Sequence, residues 1–179
     1  QPRNHPAHPI RMYTQLCGFL STLPTASVKH RGPLNFRPHY GYETDVREGE
    51  VVTEVVVPPH PTRCGASYQK YLPRTADDYA TVSVAVLVGL SEDGSVCQDV
   101  RIALGAVGTT VIRATEAEAA LKGQPFTDEA VRAVAALVPA AVDPLSDYRG
   151  SAEYKRDMSE VWTRRALIDA RERARQSLQ

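Results

Sequence analysis

The sequence predicts an α+β fold in which an antiparallel β-meander of three to four strands is covered by about three C-terminal helices and preceded by an irregular N-terminal arm. Residues 50–107 alternate apolar and polar side chains, which is typical of strands. From residue 115 onward the apolar residues recur every three to four positions, which is typical of helices. The chain has 179 residues and is 42% apolar, so it can form one domain with a real core.

The predicted arm covers residues 1–40 and differs in composition from the domain predicted over residues 41–179. All five histidines and nine of the thirteen prolines fall within the first 61 residues. Proline removes backbone donors, and the arm has no sustained alternation or helical stripe. We therefore predict that the arm is disordered or unrelated to the domain. Because Pro6 separates His5 from His8 and no third ligand is evident, a solvated tail is favoured over a metal site there.

Four stretches predict the strands. They are EVVTEVVVP at 50–58, ASYQKYL at 66–72, YATVSVAVLVGL at 79–90 and VCQDVRIALGAV at 96–107. The third is predicted to be central, with valines at alternate positions from Val82 to Val88 on one face. The residues SEDGS, which carry Asp93-Gly94, predict a tight turn into the last strand.

Cap signals predict where the first two helices begin. Thr115 is expected to cap the first helix while Glu118 reaches back to the Thr115 amide. Thr127 is expected to cap the second helix, with Phe126 packing on Val131 as a hydrophobic staple.

The third helix is predicted to start near Ser151 and to place a broad apolar stripe on the sheet. The stripe residues are Tyr154, Met158, Val161, Trp162 and Ile168.

The glycine-bearing segment GAVGTT at 105–110 raises the question of a nucleotide-binding loop. A Walker loop needs GxxxxGK[ST], and a dinucleotide fingerprint needs a third glycine within a parallel βαβ unit. This segment has neither pattern. We interpret Gly105 and Gly108 as turn residues.

Composition excludes several classes of function. The 21 basic and 21 acidic residues cancel, so no global field attracts nucleic acid or an anionic membrane. Cys17, Cys64 and Cys97 are widely spaced and include no CxxC pair, which argues against a disulfide framework, a zinc finger or an iron-sulfur site in this chain. No apolar run is long enough to span a membrane, and a reducing cytoplasm is the expected location.

Lys70 stands out because it lies between Tyr68 and Leu72 on one predicted strand face, a place usually given to an apolar residue. The structural interpretation is an edge-strand lysine that prevents aggregation. The functional interpretation depends on a resemblance carried by five ordered blocks. The blocks are REGEVVTEVVVP at 47–58, YQKYLPRTADDYATVSVAV at 68–86, DVRIALGAVGTTVIRATEAEAAL at 99–121, DPLSDYRGSAEYKRDM at 143–158 and TRRAL at 163–167.

From about Gly41 to Leu167 the chain resembles the C-terminal domain of the FAD-binding medium subunit of molybdenum hydroxylases, the family of carbon monoxide dehydrogenase and xanthine dehydrogenase. The resemblance implies a cytoplasmic flavoprotein component of an oxidoreductase complex, which is not an enzyme by itself. Its partners would be a large molybdopterin subunit and a small subunit with [2Fe-2S] clusters. The medium subunit would pass electrons from those clusters through FAD to an acceptor.

The resemblance also assigns site residues, and no catalytic or metal-binding residue is among them. Lys70 matches the family's lysine beside the isoalloxazine ring, and Val52 matches an apolar residue packed near it. Tyr68, Arg74 and Asp78 would have orienting roles. The family's glycine-rich pyrophosphate segment has no counterpart in residues 1–40, so the resemblance implies a partial flavin site. The alternative is a non-catalytic subunit-interaction module, or a truncated remnant, that does not bind FAD.

Overall fold

A computed structural model describes residues 61–72 and 79–177, together with the backbone of residues 27–30 and 52–56. The strands are β1 Ser27–His30, β2 Val52–Val56, β3 Cys64–Tyr71, β4 Val82–Leu90, β5 Cys97–Gly105 and β6 Ile112–Arg113. The helices are α1 Thr115–Leu121, α2 Asp128–Ala135 and α3 Ala152–Gln176, and a 3-10 turn spans Val138–Ala140. The predicted α+β class is confirmed. No helix among the described residues is long and apolar enough to cross a membrane.

Strands β3 to β6 form an antiparallel sheet in the order of the chain. The predicted turn at residues 91–95 joins β4 to β5, and the Asp93 carboxylate organises it by accepting hydrogen bonds from the hydroxyls of Ser91 and Ser95. These bonds lower the pKa of Asp93 to about 2. Gly94 takes the left-handed conformation that the turn requires, with φ of 71°.

The first two strands differ from the sequence prediction. The segment at 50–58 was expected to belong to the meander, yet Val52–Val56 pairs with Ser27–His30 in a separate two-stranded antiparallel sheet. A strand within the predicted arm was not expected, because the segment is too short to show a clear period of two. The rest of residues 1–40, including His5 and His8, lies outside the described residues.

The core lies between the four-stranded sheet and α3. The alternating valines of β4 are fully buried, together with Ile102 and Leu104 of β5 and Ala166 and Leu167 of α3. Helix α3 approaches the edge strand β3 very closely at Gly65, where an added Cβ would overlap the backbone of Ala170. The residues on the other face of β4 are also buried except for the half-buried Gly89, so this strand is central as predicted.

The predicted capping box of α1 is wrong. The N-cap residue is Ala114, which makes no side-chain cap, and Thr115 is already the first helical residue. The Glu118 carboxylate instead accepts hydrogen bonds from the backbone N–H of Ile102 at 2.8 Å and from Arg113 at 2.7 Å. The Glu118 carboxylate therefore bonds to a buried strand amide and a guanidinium, and not to the amide at the start of the helix as the local pattern predicted.

The other two helix starts are confirmed. The hydroxyl of Thr127 accepts from the Ala130 N–H at the start of α2, and the hydroxyl of Ser151 accepts from the Tyr154 N–H at the start of α3. Phe126, beside the first cap, is buried in the same core as Val131.

The predicted stripe of α3 is only partly buried. Tyr154 is exposed, and Met158, Trp162 and Ile168 are half-buried and pack at the margin of the core. The buried face has alanines at 170 and 174, where the helix passes Gly65, and a mixture of polar and larger side chains elsewhere. Its residues are Lys155, Ser159, Thr163, Ala166, Leu167, Ala170, Arg171 and Ala174.

Candidate functional site

Lys70 lies on the sheet face turned away from α3. Its neighbour Tyr71 stacks on Trp162 of α3 with ring centroids 5.0 Å apart, and Ser67 donates to Asp169 of α3 at 2.6 Å. Because side chains alternate along a strand, Lys70 and Tyr68 share the opposite face. Lys70 is half-buried and Tyr68 is exposed. The predicted pairing of these two side chains on one face therefore agrees with the strand register.

Small residues lie beside Lys70 on this face. Lys70 pairs with Ser83, and Ser83 pairs with Gly105, so the three form one row across β3, β4 and β5. An added Cβ at Gly105 would come within 2.6 Å of the Ser83 hydroxyl oxygen, so a larger residue there would require Ser83 to change its rotamer. The next row holds Tyr68, followed by alanines at 85 and 103.

Apart from Tyr68, the residues that the resemblance assigned are not brought together with Lys70 by any described contact. Val52 lies in β2, where its backbone pairs with His30, and its side chain is outside the described part. Arg74 and Asp78 fall in residues 73–78, which also lie outside it.

Gly108 lies in a turn, as interpreted, but Gly105 is the last residue of β5, and the turn joins β5 to the short strand β6 rather than directly to a helix. Ala106 takes a positive φ of 66° within it. An added Cβ at Gly108 would come within 2.5 Å of the Ile112 side chain. The turn is therefore tightly packed on its own β6 side.

A cleft of about 500 Å³ opens beside this turn, and the sequence analysis did not predict it. The turn forms one wall, the loop before α3 forms another through Leu145 and Arg149, and Lys155 of α3 forms part of the lining. Tyr79, which precedes β4, lies at the same cleft. The sequence pattern did not single out Lys155, because the predicted apolar stripe of this helix runs through Tyr154 and Met158.

Lys155 holds the loop before α3 in place. Its side chain is almost fully buried, and its ammonium group donates to the Leu145 carbonyl and to the Asp147 carboxylate, both at 2.8 Å. The hydrogen bond from Lys155 lowers the pKa of the Asp147 carboxyl below its ordinary value. The Arg149 guanidinium lies 4.1 Å from the ring centre of Tyr148 and 5.2 Å from that of Tyr79. These contacts fix a cation and two aromatic rings next to the cleft.

Comparisons with known proteins agree with the resemblance. The CO dehydrogenase flavoprotein C-terminal domain family matches residues 67–170. The carbon monoxide dehydrogenase medium chain of Afipia carboxidovorans is 38% identical over 134 residues, which are 75% of this chain and 46% of the relative. The glyceraldehyde dehydrogenase medium chain of Sulfolobus acidocaldarius is 35% identical over 126 residues, which are 70% of this chain and 43% of the relative.

A solved structure gives the same result. A carbon monoxide dehydrogenase from Hydrogenophaga pseudoflava that lacks the Mo-pyranopterin moiety of the molybdenum cofactor superposes with a TM-score of 0.77 and 38% identity. The superposition covers 87% of this chain and 56% of that one. The chain thus spans slightly less than half the length of the curated relatives it matches.

Proposed function

Because the chain belongs to the CO dehydrogenase flavoprotein C-terminal domain family, we propose that it supplies one wall of the FAD site in the medium subunit of a molybdenum hydroxylase. The observation that carries the proposal is the position of Lys70 on the sheet face away from the helices, in a row with Ser83 and Gly105. A flat ring system can lie against such a row because the neighbouring side chains are small.

Bound FAD would supply the electron chemistry, taking electrons from [2Fe-2S] clusters and passing them to an acceptor. The residues of this chain would do two things. The Lys70 ammonium would stabilise the negative charge that accumulates on the ring when it is reduced, and Ser83 and Gly105 would add no large side chain that obstructs the ring. Val52 would add an apolar contact near the ring.

The site is proposed to be partial. A pyrophosphate needs convergent backbone amides, and no glycine-rich segment of that kind occurs in residues 61–72 or 79–177. The half of the relatives' length that this chain does not match would provide it. The proposed partners are a large molybdopterin subunit and a small iron-sulfur subunit, and the proposed location is the cytoplasm. Names such as carbon monoxide dehydrogenase medium chain, which the relatives carry, support this assembly.

The competing function is an interaction module that keeps the fold but binds no flavin. Flavin absorbance distinguishes the interaction module from the proposed FAD site. The chain alone is expected to bind FAD weakly or not at all, and a yellow complex is expected once the remaining half of the Hydrogenophaga medium chain is supplied. A complex that assembles without flavin absorbance would favour the interaction module.

The role of Lys70 is tested in that complex by a redox titration. Lys70→Met should make the flavin harder to reduce, lowering its potential by roughly 30 mV or more, which corresponds to about 1.4 kcal/mol for a two-electron couple. Lys122→Met, at an exposed lysine beyond the end of α1, is the matched control and should leave the potential unchanged. An equal flavin potential in both variants would show that Lys70 has no role at the flavin and is an ordinary strand lysine.

A further inference from the structure

One tryptophan and two tyrosines form a continuous aromatic contact between the edge strand β3 and helix α3. Trp162 is the single tryptophan of the chain. Its ring stacks on that of Tyr71, with centroids 5.0 Å apart and an interplanar angle of 24°. The Tyr71 hydroxyl lies 2.7 Å from the Tyr154 hydroxyl, and either oxygen can donate this hydrogen bond. The three side chains therefore connect an indole ring to a pair of phenols.

These side chains can be reached by small reagents in solution. Trp162 and Tyr71 are half-buried, and Tyr154 is 38% exposed. They lie on the face of the sheet that α3 covers, whereas Lys70 and Tyr68 lie on the opposite face. The aromatic contact is therefore separate from the proposed wall of the flavin site.

The charge beside Trp162 gives the contact a direction. The Arg165 guanidinium lies 4.6 Å from the centre of the Trp162 ring. A cation is attracted to the electron-rich face of an indole, so the same cation repels a ring that has lost an electron. Oxidation of Trp162 is thereby disfavoured relative to oxidation of Tyr71, whose phenol can release its proton into the hydrogen bond with Tyr154. An electron deficiency on the indole should therefore move to the phenol.

We propose that Trp162, Tyr71 and Tyr154 form a relay through which the chain quenches one-electron oxidising radicals. The radical takes one electron from Trp162, and the indole N–H proton passes to water. Tyr71 then gives one electron to Trp162, which regains a proton from water. The phenolic proton of Tyr71 moves to the Tyr154 oxygen as Tyr154 releases its own proton to water. The products are the reduced oxidant, an intact tryptophan and one tyrosyl radical, and no step needs FAD.

The test is pulse radiolysis of the full chain with the azide radical, a one-electron oxidant that attacks tryptophan in preference to tyrosine at neutral pH and is reduced to azide. Absorbance of the tryptophanyl radical should appear first and decay as absorbance of the tyrosyl radical rises. The rate constant of this transfer should be first-order and independent of protein concentration. A rate proportional to protein concentration would indicate transfer between molecules and would overturn the proposal, as would decay of the tryptophanyl radical without tyrosyl absorbance.

Two variants locate the relay. Tyr71→Phe keeps the stacked ring but removes the phenol that is oxidised, and Tyr154→Phe removes the proton acceptor. Both keep the ring volume, so the fold is expected to persist. Each should slow the first-order transfer about tenfold or more. The matched control is Tyr148→Phe, at an exposed tyrosine whose ring contacts Arg149, and it should transfer at the rate of the unmodified chain. An unchanged rate in Tyr71→Phe or in Tyr154→Phe would contradict the assignment.

Discussion

Replacing Glu118 by alanine should destabilise this domain far more than its place in a seven-residue helix suggests. The carboxylate is buried, and its Oε1 atom accepts from the Ile102 N–H of strand β5 and from Arg113. Its Oε2 atom accepts from Arg113 as well. One side chain therefore links α1 to the sheet and satisfies a backbone donor of β5.

The magnitude follows from what each donor loses. The bond to Ile102 is buried, and leaving a buried N–H without an acceptor costs about 1 to 3 kcal/mol. Arg113 is 35% exposed, so water replaces part of its lost contact, and the partly buried ion pair contributes about 1 kcal/mol. Glu118→Ala should therefore lower the free energy of unfolding by about 2 to 4 kcal/mol. Glu118→Gln, whose amide oxygen can still accept from Ile102, should lower it by about 1 to 2 kcal/mol.

The assay is equilibrium unfolding in urea, where a change of midpoint at constant slope reports stability alone. Glu116→Ala is the matched control, because Glu116 is exposed in the first turn of the same helix, and it should cost no more than about 0.5 kcal/mol. A Glu118→Ala variant as stable as Glu116→Ala would show that the carboxylate is not what holds the helix on β5.

Two further predictions concern packing and pH. Gly65→Ala should lower the free energy of unfolding, measured in urea, by about 3 kcal/mol or more, because the new Cβ would overlap the α3 backbone. The control Gly89→Ala, whose Cβ would meet its nearest atoms at 3.7 Å, should change it by less than about 1 kcal/mol. Equal losses in the two variants would mean that α3 can shift away from the sheet. The lowered pKa of Asp147 stabilises the folded state above the unfolded pKa of about 3.9, and this stabilisation is lost as pH falls through the folded value. Urea midpoints measured from pH 5 down to pH 2 should therefore fall less steeply in Asp147→Asn than in the unmodified chain, and parallel slopes would contradict the role of the carboxylate.

Local patterns were enough to predict much of this fold. The alternation of valines along 79–90 predicted the central strand, and the residues SEDGS predicted the turn that Asp93 organises. The cap at Thr127 was predicted because a hydroxyl and the amide it accepts from lie only three residues apart, and the start of the third helix near Ser151 was predicted from its apolar stripe. The shared face of Lys70 and Tyr68 followed from the same period of two.

Tertiary structure decided the features in which distant residues compete for the same group or space. Glu118 was expected to bond the Thr115 amide, but Ile102 and Arg113 offered stronger partners once β5 and α1 were packed together. The large side chains of α3 were expected to fill the core. Gly65 instead lets the helix backbone approach β3 at Ala170 and Ala174, and Trp162 lies at the margin of the core.

The cleft shows the same division between local and tertiary information. The sequence identified the 105–110 segment as a turn but gave no sign that Tyr79, Arg149 and Lys155 would meet beside it. Periodicity and caps are properties of residues a few positions apart, so one sequence suffices to show them. A cleft assembled from residues 79, 149 and 155 exists only after the sheet and α3 have packed, because packing alone brings together segments some seventy residues apart.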